Sequence, residues 1–182
     1  GPAGAMQAPE LRAATITRNA FLCCTSHALT TEKQEIMGLL LGRLEELGPG
    51  AKVAHVEHVI VMVRKDRRKD RVEVSYESLA KASGMADKLQ SATGRECRVI
   101  GWYHSHPHIT VLPSHVDVRT QGQYQFMDRA WLGLIFSVFS SRGGVGVCAF
   151  QAVGRPNAAY PDGTEWARQE VPLRIRGGGG GG

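Results

Sequence analysis

Long apolar runs are missing from this chain. None approaches the roughly 18 to 20 residues that a helix needs to cross a bilayer, so the sequence predicts no membrane partner. Cysteine is scarce and unpatterned: Cys23, Cys24, Cys97 and Cys148 form no Cys-x-x-Cys pair and no regular framework. That argues against a disulfide scaffold and for free thiols in a reducing compartment, nucleus or cytoplasm. Aromatic residues make up only 7% of the chain, too few for a platform on which single-stranded nucleic acid would stack. The first residues lack the ordered basic segment, apolar core and small-residue cleavage site of a secretory signal. No internal repeat is evident.

What remains is the composition of an ordinary soluble globular protein. The 182 residues, 42% hydrophobic and 21% charged, suffice for one domain with a sizeable core but not for two comfortable ones. The formal charge of +5 is largely local, because Arg64 to Arg71 sets six basic residues against two aspartates. The interleaved acids, and the lack of aromatics nearby, favour a solvated hairpin connection over a polyanion-binding patch, so no direct nucleic-acid partner is expected. Residues 1–11 read as a disordered lead or cloning remnant, 12–176 as the domain, and 177–182 as a poly-Gly tail.

Within the domain, Arg12 to Ile16 reads as a first strand and Thr17 as the cap of a helix to about Leu29, with Ala20, Phe21, Cys24 and Ala28 inward. His27 has no metal-ligand partner at a helical offset and reads as structural. Ile36 to Gly42 reads as a central strand buried on both faces, and Val53 to Val63 as a second strand after the turn at Leu47 to Gly50. His55 and His58, three apart, should face opposite sides of that strand. Val72 to Val74 reads as a short strand. Ser75 caps a helix with a Leu79, Ala82, Met85 and Leu89 stripe ending at Gly94. Trp131 to Phe139, Val145 to Val153 and Val171 to Ile175 read as further strands. The order predicts an α/β (α+β) fold, an antiparallel-biased mixed sheet with helices on its faces.

The chemistry concentrates between Gly101 and Asp117. Arg98 to Tyr103 reads as a buried strand, and residues two apart on a strand share a face, so His104 and His106 can converge on one ion before Pro107 ends the strand. Ser114 is a good helix N-cap, which puts Asp117 in the first helical turn. Two imidazoles and a carboxylate, with a fourth position left for water, is how a catalytic zinc is usually held. Each piece alone has an ordinary explanation: Ser114-x-x-Asp117 is also a capping-box variant, and His-x-His could be two exposed histidines. The absence of His-Glu-x-x-His excludes the helical zincin arrangement. The absence of His-x-Glu with a later Pro-Cys-x-x-Cys excludes a nucleobase deaminase. Glu35, at the entrance of the apolar strand, either closes the charged turn Glu32 to Gln34 in water or serves a site; the residues alone leave both open.

His104-x-His106, seven residues, Ser114, two residues and Asp117 resembles the JAMM motif of the MPN-plus metalloproteases, whose motif includes an upstream glutamate. The resemblance implies the MPN fold, a cytidine-deaminase-like mixed sheet with flanking helices. It also implies one Zn2+ held by His104, His106 and Asp117, with Glu35 as general base and Ser114 as oxyanion donor. Thr31 to Gly38, Arg68 to Val74, Gly101 to Val111, Pro113 to Gln121 and Gly133 to Ser137 are further similar to the BRCC-type deubiquitinases. That likeness, from about Ala14 to Ile175, implies hydrolysis of lysine-63-linked polyubiquitin within a multi-subunit complex, beside an MPN-minus partner of the Abraxas type. The alternative is a non-catalytic MPN scaffold or ubiquitin-binding subunit, which would lack one or more ligands. At Leu112 the family usually has Trp, the connection from Leu47 to Lys52 is short, and the family's long C-terminal helical segment is not in the sequence.

Overall fold

Thr17 marks the first switch from strand to helix, and its hydroxyl accepts the Ala20 amide at 3.2 Å, satisfying one of the donors that a helix start leaves open. The computed structural model describes residues 8–63, 74–140 and 143–177. Along them run β1 (Leu11–Thr17), α1 (Arg18–Ala28), β2 (Met37–Gly48), β3 (Ala51–Met62), α2 (Tyr76–Thr93), β4 (Arg98–Ser105), α3 (His115–Met127), β5 (Leu132–Ser137), β6 (Gly146–Pro156), β7 (Thr164–Glu170) and β8 (Leu173–Arg176). The strands form one mixed sheet in the order β7-β6-β5-β4-β2-β3-β1-β8. The hairpins β2–β3, β5–β6 and β6–β7 and the β2–β4 pair are antiparallel, whereas β1 runs parallel to β3 and β8, and β4 parallel to β5.

The central strands β4, β2 and β5 are buried on both faces, which explains why they read as continuous apolar runs. On one face α1 lays Ala20, Cys24 and Ala28 over Ile16, Leu40, Ile100, Tyr103 and Phe136. Its His27 donates to or accepts from the Tyr103 hydroxyl at 2.8 Å, a structural contact, and burial lowers the His27 pKa. On the other face Ala82 of α2 meets Met37, Leu39, Trp102 and Trp131. The α2 stripe is rotated from the expected one: Met85 is 49% exposed and Ala86 takes the inner place beside Leu41 and Cys97. Gly94 ends α2 with φ 69°, the left-handed cap that glycine adopts without a Cβ penalty.

Other differences from the sequence reading have physical causes. Glu10 and Leu11, assigned to the lead, belong to the fold: Leu11 opens β1, and Glu10 lies 3.0 Å from Lys52 and 3.5 Å from Arg129. The edge strand β7 went unanticipated because Thr-Glu-Trp-Ala-Arg-Gln-Glu is mostly polar, as suits a strand with one side open to water. His55 is buried between Thr15 at 2.7 Å and Glu45 at 2.8 Å, and His58 is exposed. Between them β3 shifts register against β2, so the simple alternation assumed for that pair does not hold there. Val74 is described and carries no strand pairing, packing instead into the core ahead of α2. Val72, Glu73, the basic run and the termini 1–7 and 178–182 lie outside the described residues.

At Gly101 the backbone of β4 passes close to that of β5, since a Cβ there would fall on the Leu132 carbonyl oxygen. A strand backbone cannot retreat without opening the parallel pairing that holds His104 opposite Ile135. Gly101→Ala is therefore expected to cost about 1–3 kcal/mol, typical of an overpacked core. Thermal unfolding of the metal-free protein should register this as a midpoint several degrees lower; an unchanged midpoint would mean the strand yields freely.

Candidate metal centre

His104 is the penultimate residue of β4, fully buried and stacked on Trp102, its same-face neighbour two residues earlier, at 4.8 Å between rings. His106 follows one residue past the strand, where its amide still reaches the Phe136 carbonyl at 2.9 Å. Its Nδ1–H donates to the Thr110 carbonyl at 2.7 Å, because the chain turns back after Pro107. This aims Nε2 inward, 3.0 Å from Asp117 Oδ2. Asp117 is fixed by a complete capping box: the Ser114 hydroxyl accepts the Asp117 amide at 3.1 Å, and Asp117 Oδ2 accepts the Ser114 amide at 2.9 Å. The ordinary reading of Ser114-x-x-Asp117 as a cap and its reading as a ligand-bearing turn thus describe the same geometry.

Glu35 arrives from the segment before β2. Ile36 ties that segment to β4, its amide donating to Ser105 Oγ at 2.9 Å and its carbonyl accepting the Ser105 amide at 3.1 Å. Glu35 Oε1 then stands 3.7 Å from His106 Nε2, on a side chain 29% exposed. Ser114 is exposed at the start of α3, and Cys23, Cys24, Cys97 and Cys148 are all unpaired thiols.

The electrostatics are those of a cation site. Burial would raise the Asp117 pKa, but the rings of His104 and His106 and the Ser114 amide outweigh it and hold the carboxyl well below its usual range. For His106 burial works downward, and the Asp117 carboxylate, the Thr110 carbonyl and Glu35 overcome it and raise the pKa. Both ring nitrogens of His106 therefore face acceptors. His104 is different. Its Nε2 lies 3.2 Å from Asp117 Oδ1, yet neither ring nitrogen makes a hydrogen bond although both are buried. Orphaned buried nitrogens cost free energy unless something pairs with them.

One donor atom from each of His104, His106 and Asp117 lies within 4.8 Å of the others. Ligands about 2.0–2.1 Å from a tetrahedral zinc stand roughly 3.4 Å apart, close to the 3.0 and 3.2 Å separations from Asp117 to the two rings. Two imidazoles and a carboxylate suit zinc in chemical type as well. The residues fit the ion.

Sequence reasoning missed the supports of this site. Trp102 Nε1 donates to Gln121 Oε1 at 2.7 Å, while Gln121 Nε2 donates to Gln125 Oε1 at 2.9 Å and to the Trp131 carbonyl at 2.7 Å. Gln125 in turn exchanges a pair of hydrogen bonds with the Ala152 backbone of β6, its Nε2 donating to the carbonyl and its Oε1 accepting the amide. The available signal was two glutamines four apart on the inner face of α3, next to a buried Trp.

A family model described as JAB1/Mov34/MPN/PAD-1 ubiquitin protease matches residues 9–130. With that match, the fold and the His-His-Asp cluster, the chain belongs to this MPN family, and membership implies zinc at the cluster. Among curated proteins it is similar to the lysine-63-specific deubiquitinase BRCC36 of Xenopus tropicalis, 47% identical over 170 residues covering 91% of this chain and 62% of the relative. The mouse protein of that name is 42% identical over 190 residues, 91% of this chain and 64% of the relative. The human one is 48% identical over 149 residues, 71% of this chain and 47% of the relative. The chain thus spans less than two thirds of these relatives' length. A solution structure of a Desulfitobacterium hafniense protein shares the fold, with a TM-score of 0.56 at 22% identity over 90% of this chain and 94% of that one.

Proposed function

We propose that the full protein is a zinc metallo-isopeptidase that hydrolyses lysine-63-linked polyubiquitin, with His104, His106 and Asp117 as metal ligands and Glu35 and Ser114 as catalytic residues. The observation that carries this is the convergence of three buried donor groups, two of their nitrogens orphaned, with a carboxylate 3.7 Å from the nearest ring. The BRCC36 relatives support the substrate by name. All three ligand positions are filled, which speaks against a scaffold that has lost its metal.

Zinc bound there supplies a Lewis acid that acidifies water and polarises the scissile carbonyl. The chain's own groups do the rest. Glu35 accepts the proton of the attacking water and, as the C–N bond breaks, returns it to the departing lysine amine. The Ser114 oxygen already accepts the Asp117 amide, which leaves its O–H to donate to the oxyanion; such a donor contributes about a hundredfold or more in turnover. The carboxyl product stays on ubiquitin's C-terminal glycine and the free amine leaves with the second ubiquitin. An MPN-minus partner of the Abraxas type, assembly into a multi-subunit complex, and residence in nucleus and cytoplasm complete the reading. The test is zinc content of the full-length protein together with cleavage of diubiquitin of defined linkage. About one zinc per chain and cleavage of the lysine-63 dimer are expected; no zinc, or no cleavage in the presence of the partner, would overturn it.

A further inference from the structure

The segment 29–36 joins α1 to β2 without regular structure, and it carries Glu35. Its start is folded onto α1, where Thr30 Oγ1 donates to the His27 carbonyl at 2.6 Å, and within the segment Thr31 Oγ1 accepts the Lys33 amide at 3.2 Å. Its end is fastened at Ile36. Midway, Glu32 Oε2 stands 3.3 Å from Nε2 of His108, and the His108 ring stacks on Phe139 with centroids 5.7 Å apart and planes at 29°. Glu32 lies three residues before Glu35, His108 two residues after His106, and Phe139 just beyond β5. These three side chains join three separate segments and wall a cleft of about 630 Å³ shared with Leu29, Thr30 and Lys33.

We propose that His108 is a positioning residue for hydrolysis: stacked on Phe139 and paired with Glu32, it braces the segment that bears Glu35 against the loop that bears His106. This rests on reading Glu35 as the base. Proton transfer needs the carboxylate within hydrogen-bond reach of the water it serves, about 2.6–3.2 Å, whereas an irregular eight-residue connection, in the absence of a cross-tie, leaves its middle free to drift. The cross-tie is exposed on both sides, so its contribution is modest. An exposed pair of this kind is expected to change turnover about two- to five-fold.

The experiment uses the full-length, zinc-loaded protein on lysine-63-linked diubiquitin, with Glu32→Gln, His108→Phe, His108→Ala and the double variant Glu32→Gln/His108→Phe. Each single change should lower kcat about two- to five-fold with KM and zinc content unchanged. His108→Phe keeps the ring stack and should lose less than His108→Ala. The double variant should be no worse than the poorer single, the signature of one shared contact. Independently of activity, amide hydrogen exchange of segment 30–36 in the zinc-free protein should quicken in His108→Ala while α1 and β4 keep their protection. Additive losses, a rise in KM in place of a fall in kcat, or unchanged exchange would overturn the brace. Loss of the base assignment itself would show separately, as full turnover in a Glu35 variant.

Discussion

Asp117→Asn yields a protein that folds and does not hold zinc. The amide is nearly the same size and can still accept the Ser114 amide, so the cap of α3 and the packing of Val118 and Gln121 behind it should survive. What disappears is the negative charge facing two buried imidazoles at 3.0 and 3.2 Å. Changing groups that merely orient ligands costs about 10–100-fold in metal affinity, so losing a charged ligand is expected to cost at least about a hundredfold, with hydrolysis falling in step. Zinc stoichiometry after dialysis and the thermal midpoint of the metal-free variant separate the two effects. A variant that keeps a full zinc equivalent would remove Asp117 from the ligand set. The same contacts set the pH behaviour of the wild type. Asp117, Thr110 and Glu35 raise the His106 pKa in the metal-free protein; below that raised pKa zinc has to displace a proton from the ring, so affinity should rise as pH increases through it.

The two halves of this site were unequally legible in the chain. His104 and His106 fall on one side of a strand end by the two-residue repeat alone, and Ser114 with Asp117 is a helix start that any capping rule recognises. Both are local patterns, and local patterns survive translation from sequence to structure. Glu35 is not local to them. It reaches His106 because β2 pairs antiparallel with β4, Met37 opposite His104, a register that composition cannot reveal; only the family resemblance pointed to it. The strand order was equally hidden. That β1 sits between β3 and β8, both parallel to it, depends on contacts far apart in the chain, with β8 coming from its other end. On α2, placing Met85 instead of Ala86 inward was a one-residue rotation, since both fit a helical stripe and the narrow space beside Leu41 and Cys97 admits the smaller side chain.

The amide network was illegible for a different reason. Glutamine is usually a surface residue, and Gln121 becomes meaningful only when Trp102, Trp131 and β6 surround it. Once assembled, the network links the two ligand-bearing elements: Trp102 stacks under His104 on β4, and its indole is bonded to the helix that carries Asp117. Strand and helix are thereby held in one relation by a side chain that touches neither the metal position nor substrate.

Glu35→Gln should retain zinc and lose catalysis. Glu35 lies outside the three-residue cluster, and the substitution preserves length and shape, so neither metal content nor stability should move much. A neutral amide cannot take a proton from water. General-base assistance of this kind is worth about 10²–10⁴ in rate, and in the proposed mechanism the same group also reprotonates the leaving amine, so the loss should fall toward the upper part of that range. It should appear in kcat, with KM for lysine-63-linked diubiquitin little changed, because the carboxylate acts on water and not on the body of the substrate. Zinc analysis and steady-state kinetics on one preparation make the comparison. Turnover within about fivefold of wild type would show that a group other than Glu35 moves the proton. Parallel loss of zinc would instead make Glu35 a ligand. Its 3.7 Å approach to His106, beside the 3.0 Å contact of Asp117 on the same nitrogen, favours the outer position, where it can serve water without occupying the ion.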